Sequence, residues 1–423
     1  MVKINFSHFK KSYLCPLIFI MRLYRNLVFA TVDALGEIFN DGQYADKVIE
    51  KTLKRDKRWG SRDRSFIAET TYDIVRWKRL YAEIAEVKPP FSRENLFRLF
   101  AVWATLRGIP LPDWKQIEPT PTRRIKGRFD KLSEIRKIRE SVPDWLDELG
   151  VRELGEPLWE KEIHALNQQA PVVLRTNTIK TNRDHLKVAL NDEGILTEPL
   201  NSYPEALQLR ERANVFRTES FKKGFFEVQD ASSQRVAHAL EVQPGMRVVD
   251  ACAGAGGKSL HLAALMENKG QLISMDIFPA KLKELKRRAK RAGAFNIETR
   301  LIDSSKVVKK LKNSADRLLI DAPCSGLGVL SRNPDAKWKL QPEFLDTIRM
   351  TQQEILLQYS SMLRAGGKMV YATCSILPSE NREQVDRFLA SDQGSSFVLE
   401  SQQEIFSWES GFDGFYIAVL SRS

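Results

Sequence analysis

The sequence RLLIDAPCSGLGVL, residues 317–330, contains an apolar run that stops at an acid, a proline, a cysteine and two glycines. This pattern predicts a buried strand that ends abruptly at Asp321. In open parallel α/β sheets, ligands bind at the carboxyl ends of the strands. Asp321 and Cys324 are therefore candidates for chemistry, although a cysteine at a strand end is equally compatible with a buried structural role.

Other segments after residue 225 have the same character, with short apolar runs that alternate with amphipathic helical patterns. Such alternation indicates a parallel sheet that is covered by helices on both faces. We therefore predict an α/β catalytic domain over residues 225–423. Its predicted strands include residues 247–249, 271–275, 317–320 and 369–372.

The chain before residue 225 has a different pattern. From residue 22, apolar side chains recur at helical spacing, and strand-like alternation is scarce before about residue 170. We predict an all-α bundle over residues 22–140, followed by linker helices and a small α+β subdomain over residues 141–224. The bundle helices are predicted at residues 22–39, 44–53, 63–86 and 94–106, and the proline-rich segment 115–124 is predicted to be a linker.

The charge balance indicates a polyanionic partner. Lysine and arginine number 66 against 54 acidic residues, which gives a net charge of +12. Basic side chains concentrate in residues 51–64, 123–131 and 281–291. These segments either contact RNA phosphates or form solvated surfaces, and the sequence leaves both open.

The cysteines and histidines of the chain indicate its cellular compartment. The four cysteines and five histidines show no spacing typical of a disulfide framework or a zinc site, so we predict no metal and a reducing, cytoplasmic location. Residues 1–21 contain a short apolar run that lacks a cleavage site and is too short to span a bilayer. We expect an extension or a disordered segment there, no membrane association, and a monomer.

A second chemical motif is VVDACAGAGGKSLHLA, residues 248–263, where a predicted strand leads through a glycine turn into a helix. Such a turn brings the backbone close to a ligand at a helix amino terminus. It matches neither of the common nucleotide-binding patterns, GxGxxG and GxxxxGK[ST]. Asp276 ends the next strand, where a carboxylate can bind ribose hydroxyls. Asp303 follows the third strand and either accepts from an adenine amino group or caps a helix. This ordered set favours an adenosine-containing cofactor such as S-adenosylmethionine.

A second cysteine ends a further predicted strand in MVYATCSILPSEN, residues 369–381. Neighbouring strands can bring Cys374 and Cys324 to the same sheet edge as Asp321. Adding a methyl group to carbon 5 of a pyrimidine needs such a set, because that carbon is a poor nucleophile until a thiolate adds to carbon 6. An acid near ring nitrogen 3 offsets the developing charge, and a second group removes the proton from carbon 5.

The chain resembles the Sun/RsmB family of RNA 5-methylcytosine methyltransferases. More loosely, the helical bundle is similar to the NusB-like RNA-binding domain of the bacterial ribosomal RNA enzymes in that family. This resemblance implies a Rossmann-like, S-adenosylmethionine-dependent methyltransferase domain at the C-terminus. The matching segments are VQDASSQ (228–234), DACAGAGGK (250–258), SMDIF (274–278), DAPCSGLGVLSRNPDAKW (321–338), ATCSILPSEN (372–381) and DGFYIAVL (413–420).

The resemblance also implies roles for single residues. Cys374 would be the nucleophile, Cys324 would assist release, and Asp321 would contact the cytosine. One residue departs from the family pattern, since Ala255 stands where proline is usual. The implied cofactor site comprises Ala251, Cys252, Ala253, Gly254, Gly256, Gly257, Lys258, Asp276, Asp303 and Asp321.

The expected substrate is small-subunit (16S) ribosomal RNA. A tRNA methyltransferase and a noncatalytic, RNA-binding ribosome-assembly factor remain alternatives. A target base must be accessible or flipped out of a duplex, and flipped bases often stack on aromatic rings or on arginine. Trp338 and Arg332 are candidates for that contact, with a loop packed on the domain as the alternative.

Overall fold

The structure is a computed structural model that describes residues 22–117 and 122–423. The chain divides into two compact units. The first combines the described residues up to Arg152 with the segment Asn333–Leu340, and the second combines Glu153–Arg332 with Gln341–Ser423. The predicted extension at residues 1–21 and residues 118–121 of the predicted linker lie outside the described residues.

The secondary structure elements are numbered in chain order. The helices are α1 (Arg25–Phe39), α2 (Ala45–Leu53), α3 (Ser61–Arg76), α4 (Lys78–Ala85), α5 (Arg93–Leu106), α6 (Thr122–Leu132), α7 (Arg136–Arg139), α8 (Asp144–Leu154), α9 (Glu156–Leu166), α10 (Arg183–Asp192), α11 (Glu219–Lys222), α12 (Ala231–Ala239), α13 (Gly257–Leu265), α14 (Pro279–Ala292), α15 (Ser305–Lys309), α16 (Ala336–Lys339), α17 (Pro342–Tyr359), α18 (Arg382–Leu389) and α19 (Ser407–Ser410). The strands are β1 (Val173–Thr176), β2 (Thr197–Pro199), β3 (Ala206–Leu209), β4 (Phe226–Val228), β5 (Arg247–Asp250), β6 (Gln271–Asp276), β7 (Ile297–Leu301), β8 (Ala315–Asp321), β9 (Leu363–Thr373), β10 (Phe397–Ile405) and β11 (Phe415–Arg422).

The first unit is helical. Its helix α5 begins where the Ser92 hydroxyl accepts a hydrogen bond from the Asn95 amide at 3.1 Å, which is a standard N-cap. The prediction of one helix over residues 63–86 is wrong, because α3 ends and α4 begins at Trp77, which has φ −102° and ψ 22°. In a continuous helix, residues 75 and 80 would point about 140° apart. The break lets Val75 and Leu80 enter the same core.

The second unit contains a small antiparallel sheet with the order β2-β3-β1-β4. Its apolar side chains pack with those of α10, so that Leu174, Leu186 and Phe226 are fully buried. This sheet precedes the larger sheet in the chain, and its strand β4 leads directly into α12.

The larger sheet of the second unit has the order β10-β11-β9-β8-β5-β6-β7. Strands β5 to β9 run parallel to one another, whereas β11 is antiparallel to both β9 and β10. Val248 packs with Leu262 of α13, and the adjacent Val249 packs on the other face with Leu356 of α17. Helices therefore cover both faces, as the sequence predicts. The strand order reverses between β5 and β8, and in such sheets this switch point opens a ligand crevice at the carboxyl ends of the strands.

The predicted fold class is confirmed. Along the chain, a helical amino-terminal region is followed by a small α+β subdomain and then by an α/β domain with a mostly parallel sheet. Among residues 22–117 and 122–423, every helix is too short or too polar to cross a lipid bilayer.

Candidate active site

The glycine turn, residues 251–257, connects β5 to α13. Gly254 and Gly256 have φ values of +54° and +88°, which favour glycine. Asp276, at the end of β6, is attached to this turn, because its Oδ2 accepts from the Gly254 amide and its Oδ1 accepts from the Phe278 amide, each at 2.8 Å. The structure therefore brings the predicted ribose acid next to the predicted glycine turn.

One side of the glycine turn is open. A Cβ atom added at Gly254 or Gly257 would have no atom within 4 Å. The opposite side is filled, because the Ala251 and Ala253 amides donate to neighbouring strands and their methyl groups lie in the two cores. Burial raises the pKa of the Cys252 thiol well above its ordinary value, so this cysteine stays protonated.

Asp303 lies farther along the sheet edge, after β7. Its carboxylate is exposed and accepts a hydrogen bond from the Ser304 hydroxyl at 3.0 Å. No cap from the Ser304 side chain is present at the start of α15. The role of Asp303 in cofactor binding stays a prediction.

A buried carboxyl group that sequence reasoning missed is Asp250, the last residue of β5. Its Oδ2 accepts from the Ser259 hydroxyl at 2.6 Å, while Oδ1 has no hydrogen-bond partner among the described residues. Burial and the nearby charge of Asp321 raise the pKa of Asp250 to about 7, against the lowering effect of the Ser259 hydrogen bond. Its position at a strand end beside the glycine turn is the signal that identifies it.

Lys258, in the first turn of α13, forms an ion pair with Asp321 at the end of β8. The Nζ–Oδ2 distance is 2.7 Å, and the ammonium also lies 5.3 Å from the centre of the Phe415 ring. Burial acts to lower the pKa of Lys258, but attraction to Asp321 and Cys374 outweighs it, so the pKa is raised. The pair therefore places a positive charge between the glycine turn and the end of β8.

Cys324 and Cys374 follow the ends of the neighbouring strands β8 and β9. Their Sγ atoms are 3.3 Å apart, and both residues are partly buried. The hydrogen bond to Cys374, together with burial, raises the pKa of the Cys324 thiol well above its ordinary value. The structure therefore brings the two predicted thiols together.

A single carboxylate connects the two cysteine loops, residues 322–329 and 374–381. Glu380 is fully buried and accepts from the hydroxyls of Ser325 and Ser375 at 2.5 and 2.6 Å. It also accepts from the Ser325 amide at 2.8 Å and from Gln352 at 3.1 Å. Since each serine directly follows a cysteine, Glu380 fixes the position of one thiol relative to the other.

The same two loops approach each other closely at Gly328. Its amide donates to the Cys374 carbonyl at 2.9 Å, and its carbonyl accepts from the Gly414 amide at 2.8 Å. A Cβ at position 328 would lie 2.2 Å from the Gly414 oxygen. Glycine is therefore required here by packing and not by backbone conformation.

The predicted base-stacking role of Trp338 and Arg332 is contradicted. The Trp338 indole donates to the Val75 carbonyl at 2.7 Å and packs on the helical core of the first unit. The Arg332 guanidinium pairs with Asp413 at 2.6 Å and with Asp230 at 2.7 Å. Both side chains are used in structural contacts, which is the alternative that the sequence left open.

Arg175, in the small sheet, is almost fully buried and supports the glycine turn from behind. Its guanidinium donates to the Gly257 carbonyl at 2.7 Å and to the side chain of Gln229. This contact joins the small sheet to the start of α13.

Comparisons with known proteins agree with this geometry. Residues 237–421 match the family model described as 16S rRNA methyltransferase RsmB/F, and residues 142–216 match the RsmF/B-like, ferredoxin-like domain. The chain is 34% identical over 436 residues to the "Probable ribosomal RNA small subunit methyltransferase B" of a Synechocystis species, an alignment that covers 92% of this chain and 98% of that one.

Solved structures share the fold. The crystal structure of PH0851 has a TM-score of 0.80 at 24% identity and covers 95% of this chain and 100% of that one. NSun6 from Pyrococcus horikoshii, solved with SFG, has a TM-score of 0.62 at 21% identity and covers 67% of this chain and 99% of that one. The resemblance inferred from the motifs is confirmed, and the chain belongs to the RsmB/F family of 16S rRNA methyltransferases.

Proposed function

We propose that this protein transfers a methyl group from S-adenosylmethionine to carbon 5 of a cytosine in small-subunit ribosomal RNA. The observation that carries the proposal is the 3.3 Å separation of the Cys324 and Cys374 thiols. They follow the ends of β8 and β9, and the Lys258–Asp321 ion pair lies at the end of β8. The name of the Synechocystis relative, a probable ribosomal RNA small subunit methyltransferase B, supports ribosomal RNA as the substrate.

The glycine turn fits the methyl donor. Open space lies beside Gly254 and Gly257, and the Asp276 oxygens keep acceptor capacity beyond their one backbone hydrogen bond each. When bound, S-adenosylmethionine supplies an electrophilic methyl group on a sulfonium. The cofactor would be held by Cys252, Gly254, Gly256, Gly257, Lys258, Asp276, Asp303 and Asp321, while Ala251 and Ala253 would shape the turn from its filled side.

Cys374 is the nucleophile in this proposal. Its thiolate adds to carbon 6 of the cytosine, and the electrons of the 5,6 double bond make carbon 5 nucleophilic. The Lys258–Asp321 pair lies close enough to Cys374 to interact with it electrostatically, and it offsets the charge that develops on the ring. Asp321 contacts the base.

Cys324 has the second role. The hydrogen bond to Cys374 and burial raise the pKa of Cys324, which disfavours its own thiolate as an attacking group. Cys324 instead assists removal of the carbon 5 proton. The bond between Cys374 and carbon 6 then breaks as the ring double bond forms again.

Two cysteine variants test this division of labour with purified protein, labelled S-adenosylmethionine and unmodified 16S rRNA. Cys374→Ala is expected to abolish both methyl transfer and covalent RNA attachment, because no thiolate reaches carbon 6. Cys324→Ala is expected to accumulate a covalent protein–RNA adduct that survives denaturing electrophoresis. Cys15→Ala, outside the matched motifs, is the control.

The opposite pattern, with an adduct in Cys374→Ala, would overturn the assignment of the two thiols. Methylation of tRNA in preference to rRNA would show that tRNA is the substrate and would leave the proposed reaction mechanism unchanged. Absence of methylation on either RNA would favour a noncatalytic, RNA-binding protein.

A basic groove offers a surface for RNA phosphates. It has a volume of about 750 Å³ and lies between α11 and α14. The exposed ammonium groups of Lys222, Lys223 and Lys290 line it, together with Arg287. Each lysine or arginine that neutralises a phosphate releases a counterion, so this groove adds sequence-independent affinity.

A further inference from the structure

Three side chains outside the proposed active site meet in the second unit. Glu205 precedes β3, His238 lies in α12, and His261 lies in α13. The Nε2 atom of His238 is 2.9 Å from the Glu205 Oε2, and the Nε2 atom of His261 is 3.8 Å from the same oxygen. Each residue offers one ligand atom, and these three atoms all lie within 4.8 Å of one another.

The imidazole of His261 makes no hydrogen bond in the part of the chain that the structure describes, since the Glu205 oxygen at 3.8 Å is too far away for one. The residue is only 1% exposed, and neither ring nitrogen has a hydrogen-bond partner among the described residues. Its ring meets that of His238 edge to face, with centroids 5.0 Å apart. Buried polar atoms are nearly always paired, because an unpaired one has lost the hydrogen bonds that it made with water. The orphaned nitrogens therefore point to a binding partner at this cluster.

We propose that Glu205, His238 and His261 bind a divalent transition-metal ion of the zinc type. Zinc bonds of about 2.0–2.1 Å in tetrahedral geometry place ligand atoms roughly 3.3 Å apart. The observed distances of 2.9 and 3.8 Å lie on either side of that value. Two imidazoles with one carboxylate suit zinc better than magnesium or calcium, which prefer oxygen ligands.

Access to the proposed site comes from one side. Glu205 and His238 line a cleft of about 350 Å³ that also includes Gln234 and Arg235. An ion can therefore enter from solvent and keep a position for water opposite the buried His261. Because the ligands come from the residue before β3 and from α12 and α13, the ion would cross-link one end of the small sheet to the helix that carries Lys258. Its expected role is structural, and binding should stabilise the folded protein.

Zinc titration of the full-length protein, after treatment with a chelator, tests the proposal. Calorimetry is expected to show that wild-type protein binds a single equivalent of zinc that His238→Gln does not bind. His185→Gln removes an exposed histidine outside the cluster and is the matched control. Zinc should also raise the melting temperature of the wild type and of the control, but not that of His238→Gln.

The thiols of Cys324 and Cys374 form a second place where zinc can bind. The test therefore compares the zinc stoichiometry of the wild type with that of the variants and does not rely on the value for one protein. Cobalt(II) distinguishes the two sites, because only a thiolate site gives an intense sulfur-to-metal charge-transfer band. If His238→Gln does not fold, Glu205→Gln provides the same comparison. Equal zinc stoichiometry and equal cobalt spectra in the wild type and the ligand variant would overturn the proposal.

Discussion

The glycine turn and the two cysteine loops lie at the same sheet edge, yet their polar groups are arranged in opposite ways. In the cysteine loops, the Glu380 carboxylate accepts four hydrogen bonds and holds both serines that follow the thiols. At the glycine turn, Gly254 and Gly257 face open space, and the Oδ1 atom of Asp250 has no hydrogen-bond partner within residues 22–117 and 122–423. Under the proposed function, the region that positions the reacting thiols has its polar groups paired internally, whereas the region that receives the cofactor keeps unused polar groups and open space.

The largest effect expected on the glycine turn is a pH dependence of stability caused by Asp250. An unfolded aspartate titrates near pH 4, and burial raises the pKa of Asp250 to about 7 in the folded protein. Below the pKa of the unfolded state, Asp250 is protonated in both states and its ionisation costs nothing. Above the pKa of the folded state, the carboxyl group is ionised in the folded protein and the full cost applies. The free energy of unfolding therefore falls as pH rises through this window, by about 4 kcal/mol for a shift of this size.

Asp250→Asn should remove this dependence. The measurement is urea denaturation of both proteins without cofactor at several values between about pH 4 and pH 8, the window given by linkage. Other titrating groups are common to both proteins and cancel in the difference. A difference between variant and wild type that stays constant with pH would contradict the prediction.

The next largest effect should come from the cysteine loops. Glu380→Gln replaces a buried acceptor of four hydrogen bonds with an amide that has one acceptor atom, and we expect a loss of about 3 kcal/mol in the free energy of unfolding. Methyl transfer should fall as the two thiols lose their fixed separation. Glu383→Gln, an exposed neighbour, is the matched control in denaturation and activity measurements. Equal stability of the two variants would show that Glu380 does not hold the loops.

A pair of glycine variants compares the regions directly. Gly328→Ala should destabilise the protein by about 2 kcal/mol, because its Cβ would lie 2.2 Å from a backbone oxygen. Gly257→Ala has no such contact and should leave the melting temperature unchanged. It should instead weaken S-adenosylmethionine binding, measured by calorimetry, because the methyl group occupies the open side of the turn. Equal melting temperatures for the two variants would remove the contrast between the regions.

The smallest effect on stability is expected outside both regions, in the basic groove. Replacing Lys223 and Lys290 with alanine should change the free energy of unfolding by less than about 0.5 kcal/mol, as for most surface substitutions. RNA affinity should fall, and the slope of log affinity against log salt should decrease by about one for each lost phosphate contact. Lys269→Ala, an exposed lysine outside the groove, is the control. An unchanged salt slope would place the RNA elsewhere.

The sequence predicted where the candidate side chains lie, and the reason is physical. Asp276, Asp321, Cys324 and Cys374 each stand where an apolar run stops, and parallel strands align their carboxyl ends at one edge. The order of motifs along the chain was therefore enough to predict that these side chains share a crevice. The large sheet and its covering helices follow from the same alternation.

The supporting groups could not be predicted from local pattern. Glu380 lies 55 residues from Ser325, and Glu205 lies 33 residues from His238, so nothing in the spacing connects them. The base-stacking prediction for Arg332 and Trp338 was wrong because residue type alone suggested an RNA contact. The carboxylates of Asp230 and Asp413 and the carbonyl of Val75 are partners that only the folded chain reveals.

The segment Asn333–Leu340 belongs to the helical unit although it follows that unit by about 180 residues in the chain. During translation, the ribosome must therefore add the residues from Arg152 to Leu340 before the helical unit can be completed. At about 5–20 residues per second, this interval lasts roughly 10–40 s. The place that Trp338 occupies on the helical core stays open for that time, so the helical unit cannot finish folding until most of the second unit has been synthesised.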